Sequence, residues 1–539
     1  MSASDKKKLR AAERAEKLTE QQLTEQKEAK KLKILTTAFV VVLALMVCIA
    51  AVVGVTKTIE GSGIREKKTV ALTIGDKQLN NAELNYYYID GVNAFANQYG
   101  DYLYLVGLDA TVPLDEQILN EETGETWADS FMNDAVENAK AIQTLCAEAE
   151  AQGFTLTEED LENIEASIAT TEMYAQYYYQ YPTLEDYLKA MYGHGATEES
   201  YREYYTMGYT AEAYQQAYID GLTYEDADLR EAEAADYRAY NTYSYNYYYL
   251  NAYNFVEAPE GTAQADYTAE QKAQGAEAAE EIAKTLTAED ITSIEALDAA
   301  IAALPMNKDI VNPKSFESDD LKYVSINSLF ADWVADEARQ EGDVKYFKQT
   351  DTDGNVSGIY VVMFKGASDN NFPLVNVRHI LVAFEGGTAD PSTGAMIYTD
   401  EEKNAAHVEA MKILKEWTNG EATEESFAAL ANEKSDDGDG TTGGLFEDVI
   451  PGQMVENFND WCFDEARKAG DTDLVETEYG WHVMYYVGDS ETLYRDYMIE
   501  NDLKNADYTA WYTELMEGVT ATLVDTKYIS TGLVLSSGN

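Results

Sequence analysis

Cysteine and positive charge are what this chain has least of. Only Cys48, Cys146 and Cys462 occur among its 539 residues. Three thiols cannot build a disulfide framework, and Cys48 lies inside a long apolar run. Cys146 and Cys462 sit in helix-like apolar patterns, where a small buried hydrophobe is the ordinary role and a single bridge between them the alternative. This scarcity suits an exported protein that does not rely on disulfides. Against 98 Asp and Glu stand 39 Lys and Arg, a net charge of −59. The basic residues are concentrated in residues 1–33, where ten face six acids for a balance of +4, which leaves −63 on the rest. So acidic a body repels nucleic acid and anionic surfaces and favours neutral or basic partners. The length exceeds what one core supports, so several domains are expected.

What the chain does contain begins with Ile34–Val55, 22 residues without a charge. At about 1.5 Å per residue the run spans a bilayer core of about 30 Å. The basic flank before it predicts a cytosolic tail at 1–33, a transmembrane signal anchor at 34–55 and an extracytoplasmic remainder in the cell membrane. A cleaved signal peptide is the competing reading. It is disfavoured by the long charged region and by the lack of a small-x-small cleavage site after the run.

Beyond a linker at Gly61–Gly63, Val70–Asp76 reads as a strand with a tight turn, and Asn81 as the cap of a following helix. From there to about Leu229 the pattern is helical, with breaks near Gly107–Pro113, Gly153, Pro182 and Gly193. Thr157 with Asp160 has the capping-box spacing. Tyrosines crowd this stretch, among them Tyr174, Tyr177, Tyr178, Tyr179, Tyr201, Tyr204 and Tyr214. They either fill half-buried helix positions or line an aromatic cradle for unfolded segments. Tyr494 to about Gly518 is helical again, and Lys527–Leu535 reads as a closing strand.

An internal repeat organises the centre of the chain. Leu329–Asp343 matches Asn457–Asp471 at a constant offset of 128, with nine identities in fifteen. Gly358-Ile-Tyr360-Val matches Gly480-Trp-His482-Val, and Tyr247-Tyr248-Tyr249-Leu250 falls where Arg378-His379-Ile380-Leu381 lies. On this alignment both histidines of the second copy are tyrosines, Tyr248 and Tyr360, in the first. The first copy also lacks an equivalent of Gly443-Gly444. Its Asp351–Asn355 stretch looks like a calcium loop, but the glycine is at the fourth loop position and no glutamate follows at the twelfth, so a hairpin turn is predicted.

The second copy holds the chemistry. Val-Arg-His379-Ile-Leu-Val and Tyr-Gly-Trp-His482-Val-Met have strand patterns. Between them lie the acidic glycine-rich loop Ser435–Gly444 and the run Gly452-Gln-Met454-Val-Glu-Asn-Phe458. The ordered set of His379, Asp437, Gly443-Gly444, Met454, Phe458, Thr477, Gly480 and His482 resembles the parvulin family of peptidyl-prolyl cis/trans isomerases. The resemblance implies paired histidines His379 and His482 under the cleft with Thr477 in their network. It also implies Asp437, or Asp436 if the register slips, near the reacting amide, and a proline pocket of Met454, Phe458 and Leu445. The i, i+4 spacing would place Met454 and Phe458 on one helix face. No metal or cofactor is implied. The loop Glu385–Gly394 is acidic, against phosphorylated clients. One residue is missing after Gly444 relative to the family's usual Gly-Gly-Asp-Leu-Gly.

The wider pattern resembles the PrsA/SurA-type extracytoplasmic foldases. The expected fold class is α+β. It comprises a mainly helical chaperone body at 66–235 completed by a helix and strand at 490–539, a degenerate parvulin-like domain at 236–370 and a parvulin isomerase domain at 374–488. The expected activity is prolyl isomerisation and chaperoning of unfolded or partly folded secreted polypeptides with X-Pro bonds. The alternative is a non-catalytic holdase that uses the parvulin-like domains only for client binding.

Overall fold

The computed structural model describes residues 61–259, 261–304, 314–390, 394–438 and 440–535, with Lys7 and Arg10. The apolar run at 34–55 and nearly all of the basic tail lie outside these residues, and with them the expected anchor. No helix among the described residues is long and apolar enough to cross a membrane. The described chain divides into two units. One holds residues up to Leu222 and from Tyr508, the other Thr223–Asp507. The boundary thus falls at 222, not 235, because helix Asp226–Ala235 packs within the second unit.

In the first unit, strand Val70–Ile74 lies between Lys77–Asn80 and Ala521–Leu523 in an antiparallel sheet. Helix Asn81–Tyr99 follows, capped by Asn80 rather than Asn81. The Asn80 side chain accepts from the backbone of Ala82 and Glu83, and Glu83 returns the bond. Asn81 is instead fully buried and works as a staple. Its amide donates to the carbonyls of Thr69 and Asp525, and its oxygen accepts from the Tyr528 N–H. Those bonds turn the chain after Leu523, so the predicted strand at 527–535 does not form. Ile529 and Leu535 reach the core as single side chains. Helices Trp127–Gln152, Glu158–Tyr177, Leu184–Tyr192 and Glu198–Gly221 each start at a threonine cap, with Thr157 and Asp160 forming the predicted box.

The tyrosines divide into two sets. Tyr86, Tyr192, Tyr201 and Tyr204 pack in the core, where the half-buried Asp90 carboxylate accepts from the hydroxyls of Tyr192 and Tyr204 at 2.7 and 2.9 Å. Burial pushes the Asp90 carboxyl above its ordinary range. Tyr177, Tyr178 and Tyr179, at the end of helix Glu158–Tyr177, are 80, 71 and 61% exposed.

The second unit contains two four-stranded antiparallel sheets of the same topology. In the first, Thr242–Asn251 lies between Phe316–Lys322 and Val356–Ser368, with Val344–Thr350 at the edge. In the second, Pro373–Ala383 lies between Leu445–Val449 and Gly480–Leu493, with Thr472–Glu476 at the edge. Each sheet buries one face under two helices, Ala269–Leu286 with Ile294–Ala302 and Asp400–Asn419 with Glu424–Lys434. A short helix covers part of the other face, Ala331–Val334 and Glu456–Cys462. Both sheets place a left-handed aspartate at the same bulge, Asp320 and Asp448, whose N–H groups bond Ser244 Oγ and Asn376 Oδ1. Asp351–Asn355 is a hairpin turn joining paired strands.

Register corrects one alignment. Tyr249 opposes Tyr360 in the first sheet, whereas Leu381 opposes His482 in the second. The counterpart of His379 is therefore Tyr247, two residues before Tyr249, and not Tyr248, which faces the helices on the opposite side. Where the second sheet has Gly444 beside His379, the first has Phe316 beside Tyr247, their rings stacked at 5.3 Å.

At the start of the first sheet and the end of the second, Arg495 is a buried node. It pairs with Glu233 and donates to Asn241, the Asp369 carbonyl and the Tyr237 carbonyl. The two cysteines among the described residues form no disulfide, Cys146 half-buried and Cys462 buried. Burial pushes them up to about 11 and about 12.

Replacing Asn81 by alanine takes the side-chain partner from the Asp525 carbonyl and the Tyr528 N–H, while the Thr69 carbonyl keeps the Asn81 N–H. The first unit should lose about 2–4 kcal/mol. Urea unfolding should show this, and limited proteolysis should release residues beyond 520 first.

Candidate active site

Residues 103 positions apart meet because strands Pro373–Ala383 and Gly480–Leu493 pair in one register. Side chains alternate between sheet faces, so His379 and His482 both project toward helix Glu456–Cys462. Their Nδ1 atoms are 3.0 Å apart, and the rings are stacked with centroids at 5.2 Å. Both are buried, 4 and 6% exposed. His482 Nε2 lies 2.9 Å from Thr477 Oγ1, which accepts in turn from the Tyr479 N–H. His379 Nε2 lies 3.1 Å from the Asp437 carboxylate.

Proton positions follow from the partners. The acceptor-only carboxylate of Asp437 requires a proton on His379 Nε2. His379 Nδ1 is then an acceptor, and His482 Nδ1–H donates to it. His482 Nε2 accepts from the Thr477 hydroxyl. One directed chain therefore runs from the Tyr479 amide through Thr477, His482 and His379 to Asp437. Every member of it is satisfied with both imidazoles neutral. Burial lowers the His379 pKa, against the pull of Asp437. Burial, and then the neighbouring His379, lower His482 to about 3.

Phe458, Phe446 and Met454 line the apolar side. The Phe458 ring stands edge-on to both imidazoles at 5.5 and 5.3 Å, and Phe446 lies over His379 at 5.1 Å. Two expectations are corrected here. Met454 precedes the helix, which begins at Glu456 after Val455, so it shares no helix face with Phe458, although it packs on the same cluster. Leu445 opposes Arg378 and so projects to the other side of the sheet, while Phe446, opposing Val377, takes the expected position beside His379. Counted from Gly443-Gly444, Phe446 holds the place of the leucine in Gly-Gly-Asp-Leu-Gly, so the expected missing residue is not missing here. That count was the sequence signal for Phe446.

The acidic loop lies along strand Pro373–Ala383. Ser435 Oγ accepts from Leu381 N–H, and Asp436 bonds the backbone of Leu381 and Ala383. Asp436 is thereby committed to the strand, and Asp437 faces the imidazole. At the far end the His379 N–H donates to the Gly444 carbonyl at 2.9 Å. Gly444 has φ +65°, and a Cβ there would stand 2.1 Å from the His379 carbonyl oxygen, so only glycine lets the loop approach. Among the described residues, no group of three or more His, Cys, Asp or Glu is arranged to hold a metal.

Residues 379–488 match the family model of the rotamase, PPIC-type PPIase domain. The chain carries a parvulin-type peptidyl-prolyl isomerase domain. No curated protein matches the chain. Partly similar solved structures include PrsA from Bacillus anthracis, 21% identical over 28% of this chain and 59% of that one, TM-score 0.17. Another is PrsA from Bacillus subtilis, 14% identical over 75% of this chain and 93% of that one, TM-score 0.28. A third is a SurA-like chaperone of Campylobacter jejuni, 27% identical over 26% of this chain and 50% of that one, TM-score 0.16.

The parvulin domain's imidazoles set a pH dependence. Above pH 6.5 both are neutral whether the chain is folded or unfolded. Below it the unfolded chain takes up protons that the folded domain refuses until about pH 3 at His482. Stability therefore falls as pH drops through this window, by about 2 kcal/mol at pH 5 for His482 alone. Urea midpoints at pH 7 and pH 5 should show the loss. The His482→Gln variant, less stable at pH 7, should have a visibly shallower slope.

Proposed function

We propose that this protein is a membrane-anchored extracytoplasmic foldase that rotates X-Pro bonds in unfolded secreted polypeptides. The observation that carries the reading is the neutral His379–His482 pair ending on Asp437 beside an apolar pocket, within a domain of the isomerase family. Membrane anchoring rests on the uncharged run Ile34–Val55 behind a basic tail.

Rotation about an X-Pro bond crosses about 18–20 kcal/mol because twisting breaks amide resonance. No covalent step is needed, and a thousandfold gain takes about 4 kcal/mol. Phe446, Met454 and Phe458 hold the proline ring. The planar amide carries negative charge on its oxygen, and twisting withdraws it. A carboxylate beside that oxygen therefore raises the planar state more than the twisted one, and Asp437 is placed for this role. Thr477 and the two imidazoles, themselves buried, act one step removed, fixing the half-exposed carboxylate through hydrogen bonds. Isomerisation of an X-Pro peptide by Asp437→Asn or His482→Ala should fall about tenfold or more in kcat/KM. A wild-type rate no faster than buffer would overturn the reading.

The helical unit supplies a client-holding surface in this proposal. The support is the solvent-facing Tyr177, Tyr178 and Tyr179, aromatic area left uncovered while the neighbouring tyrosines pack inside. Tyrosine makes large amphipathic contacts at low entropy cost, and the surrounding acidity favours basic clients. Replacing these three by serine should weaken suppression of client aggregation several-fold and leave peptide isomerisation unchanged. The first sheet, with Tyr247 and Tyr360 for the two histidines, serves as a non-catalytic partner of the isomerase domain.

A further inference from the structure

Arg378 precedes His379 on the central strand and projects to the opposite side of the sheet, away from the proline pocket. Its side chain is largely buried. Nη1 donates to the carbonyls of Thr442 and Gly443 at 3.1 and 3.0 Å, and Nε donates to Glu424 Oε1 at 3.0 Å. Glu424 opens the helix Glu424–Lys434, whose far end leads into the acidic loop. The guanidinium therefore ties the last residues of the loop to the first turn of the helix that precedes it.

This loop has little stiffness of its own. Gly438, Gly440, Gly443 and Gly444 all have positive φ, so nothing in the local sequence selects their conformation. Its beginning is held by Leu381 and Ala383 through Ser435 and Asp436. Contacts that hold its end include the His379 N–H to Gly444, Asn432 Oδ1 to the Gly443 N–H, and Arg378. Among these, Arg378 supplies the charged donor, and one nitrogen of it grips two successive carbonyls. The contact is close, because a Cβ on Gly443 would meet Nη1 at 2.8 Å. Asp437, half exposed, lies in the span between these anchors.

We propose that Arg378 is a positioning residue of the isomerase, clamping Thr442–Gly443 so that the loop holds the Asp437 carboxylate against His379 Nε2. The inference rests on the role given to Asp437 above. Arg378 itself touches neither the pocket nor the peptide. The guanidinium fork is needed as well as the charge, since lysine cannot reach two carbonyls and a carboxylate in one plane.

The test is a double-mutant cycle in the full chain, with kcat and KM read on an X-Pro peptide. Arg378→Met should lower kcat about tenfold with KM within about twofold, and should lower it less than about twofold in an Asp437→Asn background. Arg378→Lys should fall between wild type and Arg378→Met. Equal losses in both backgrounds would overturn the proposal, because a merely structural ion pair acts independently of Asp437. A loss confined to KM, or no loss, would overturn it too. If Arg378→Met does not fold, Arg378→Lys and Glu424→Gln replace it in the same cycle, and additivity there is equally decisive. Full activity in Asp437→Asn alone defeats the Asp437 reading itself. Loss in Asp437→Asn with none in the Arg378 variants defeats only this inference.

Discussion

A single cross-strand register, Leu381 opposite His482 and Met484 opposite His379, is the constraint on which the site depends. A slip of one residue in either strand would turn that strand's imidazole toward the helices and part the pair. The register is held by the apolar residues that alternate with the histidines, Ile380 and Val483 on one face, Val377 and Met484 on the other. Packing thus fixes the polar network without the network having to stabilise the sheet. Once buried together, two imidazoles cannot both be charged, and neutrality leaves each one donor and one acceptor. The directed chain from Tyr479 to Asp437 follows from that count once an N–H stands at one end and a carboxylate at the other. A loop of glycines then becomes usable, because its two ends are stitched to the strand that carries His379.

The first sheet shows what the frame permits when this chemistry is absent. Strand order, helix placement and even the left-handed aspartate at the bulge are shared between the two copies. In place of the imidazole pair stand Tyr247 and Tyr360, with rings 6.0 Å apart, and Phe330 occupies the place of Phe458 against Tyr360 at 5.6 Å. Phe316 fills the position that Gly444 keeps open. Aromatic packing replaces hydrogen bonding, and the fold survives because its strands are registered by other residues.

Local sequence made a good part of this legible. Capping boxes, the Asp351 hairpin and the strands around His379 and His482 follow from patterns within a few residues, and the structure contains them. The set His379, Asp437, Thr477 and His482 converges in space because its ordered spacing matches a family frame. Readings that depended on distant partners went astray. Lys527–Leu535 has a strand's composition, but Asn81, more than 440 residues away, takes the hydrogen bonds that bend it. Met454 and Phe458 have helical spacing, but the helix begins between them. Leu445 was read as the pocket wall by residue type, but the place two residues after the glycine pair belongs to Phe446.

The sequence by itself determined the class of chemistry, the repeat and the acidity of the body, since each is carried by residue types and short spacings. Only the tertiary structure decided which tyrosines are core and which face solvent, since helical spacing marks a face without saying what covers it. It also decided that Asp437 rather than Asp436 meets the imidazole, that Tyr247 rather than Tyr248 stands in for His379, and that Arg378 reaches the loop. All of these turn on which face of a strand a residue occupies. With a period of two, that is settled by pairing across the sheet, and no window of local sequence contains the partner strand.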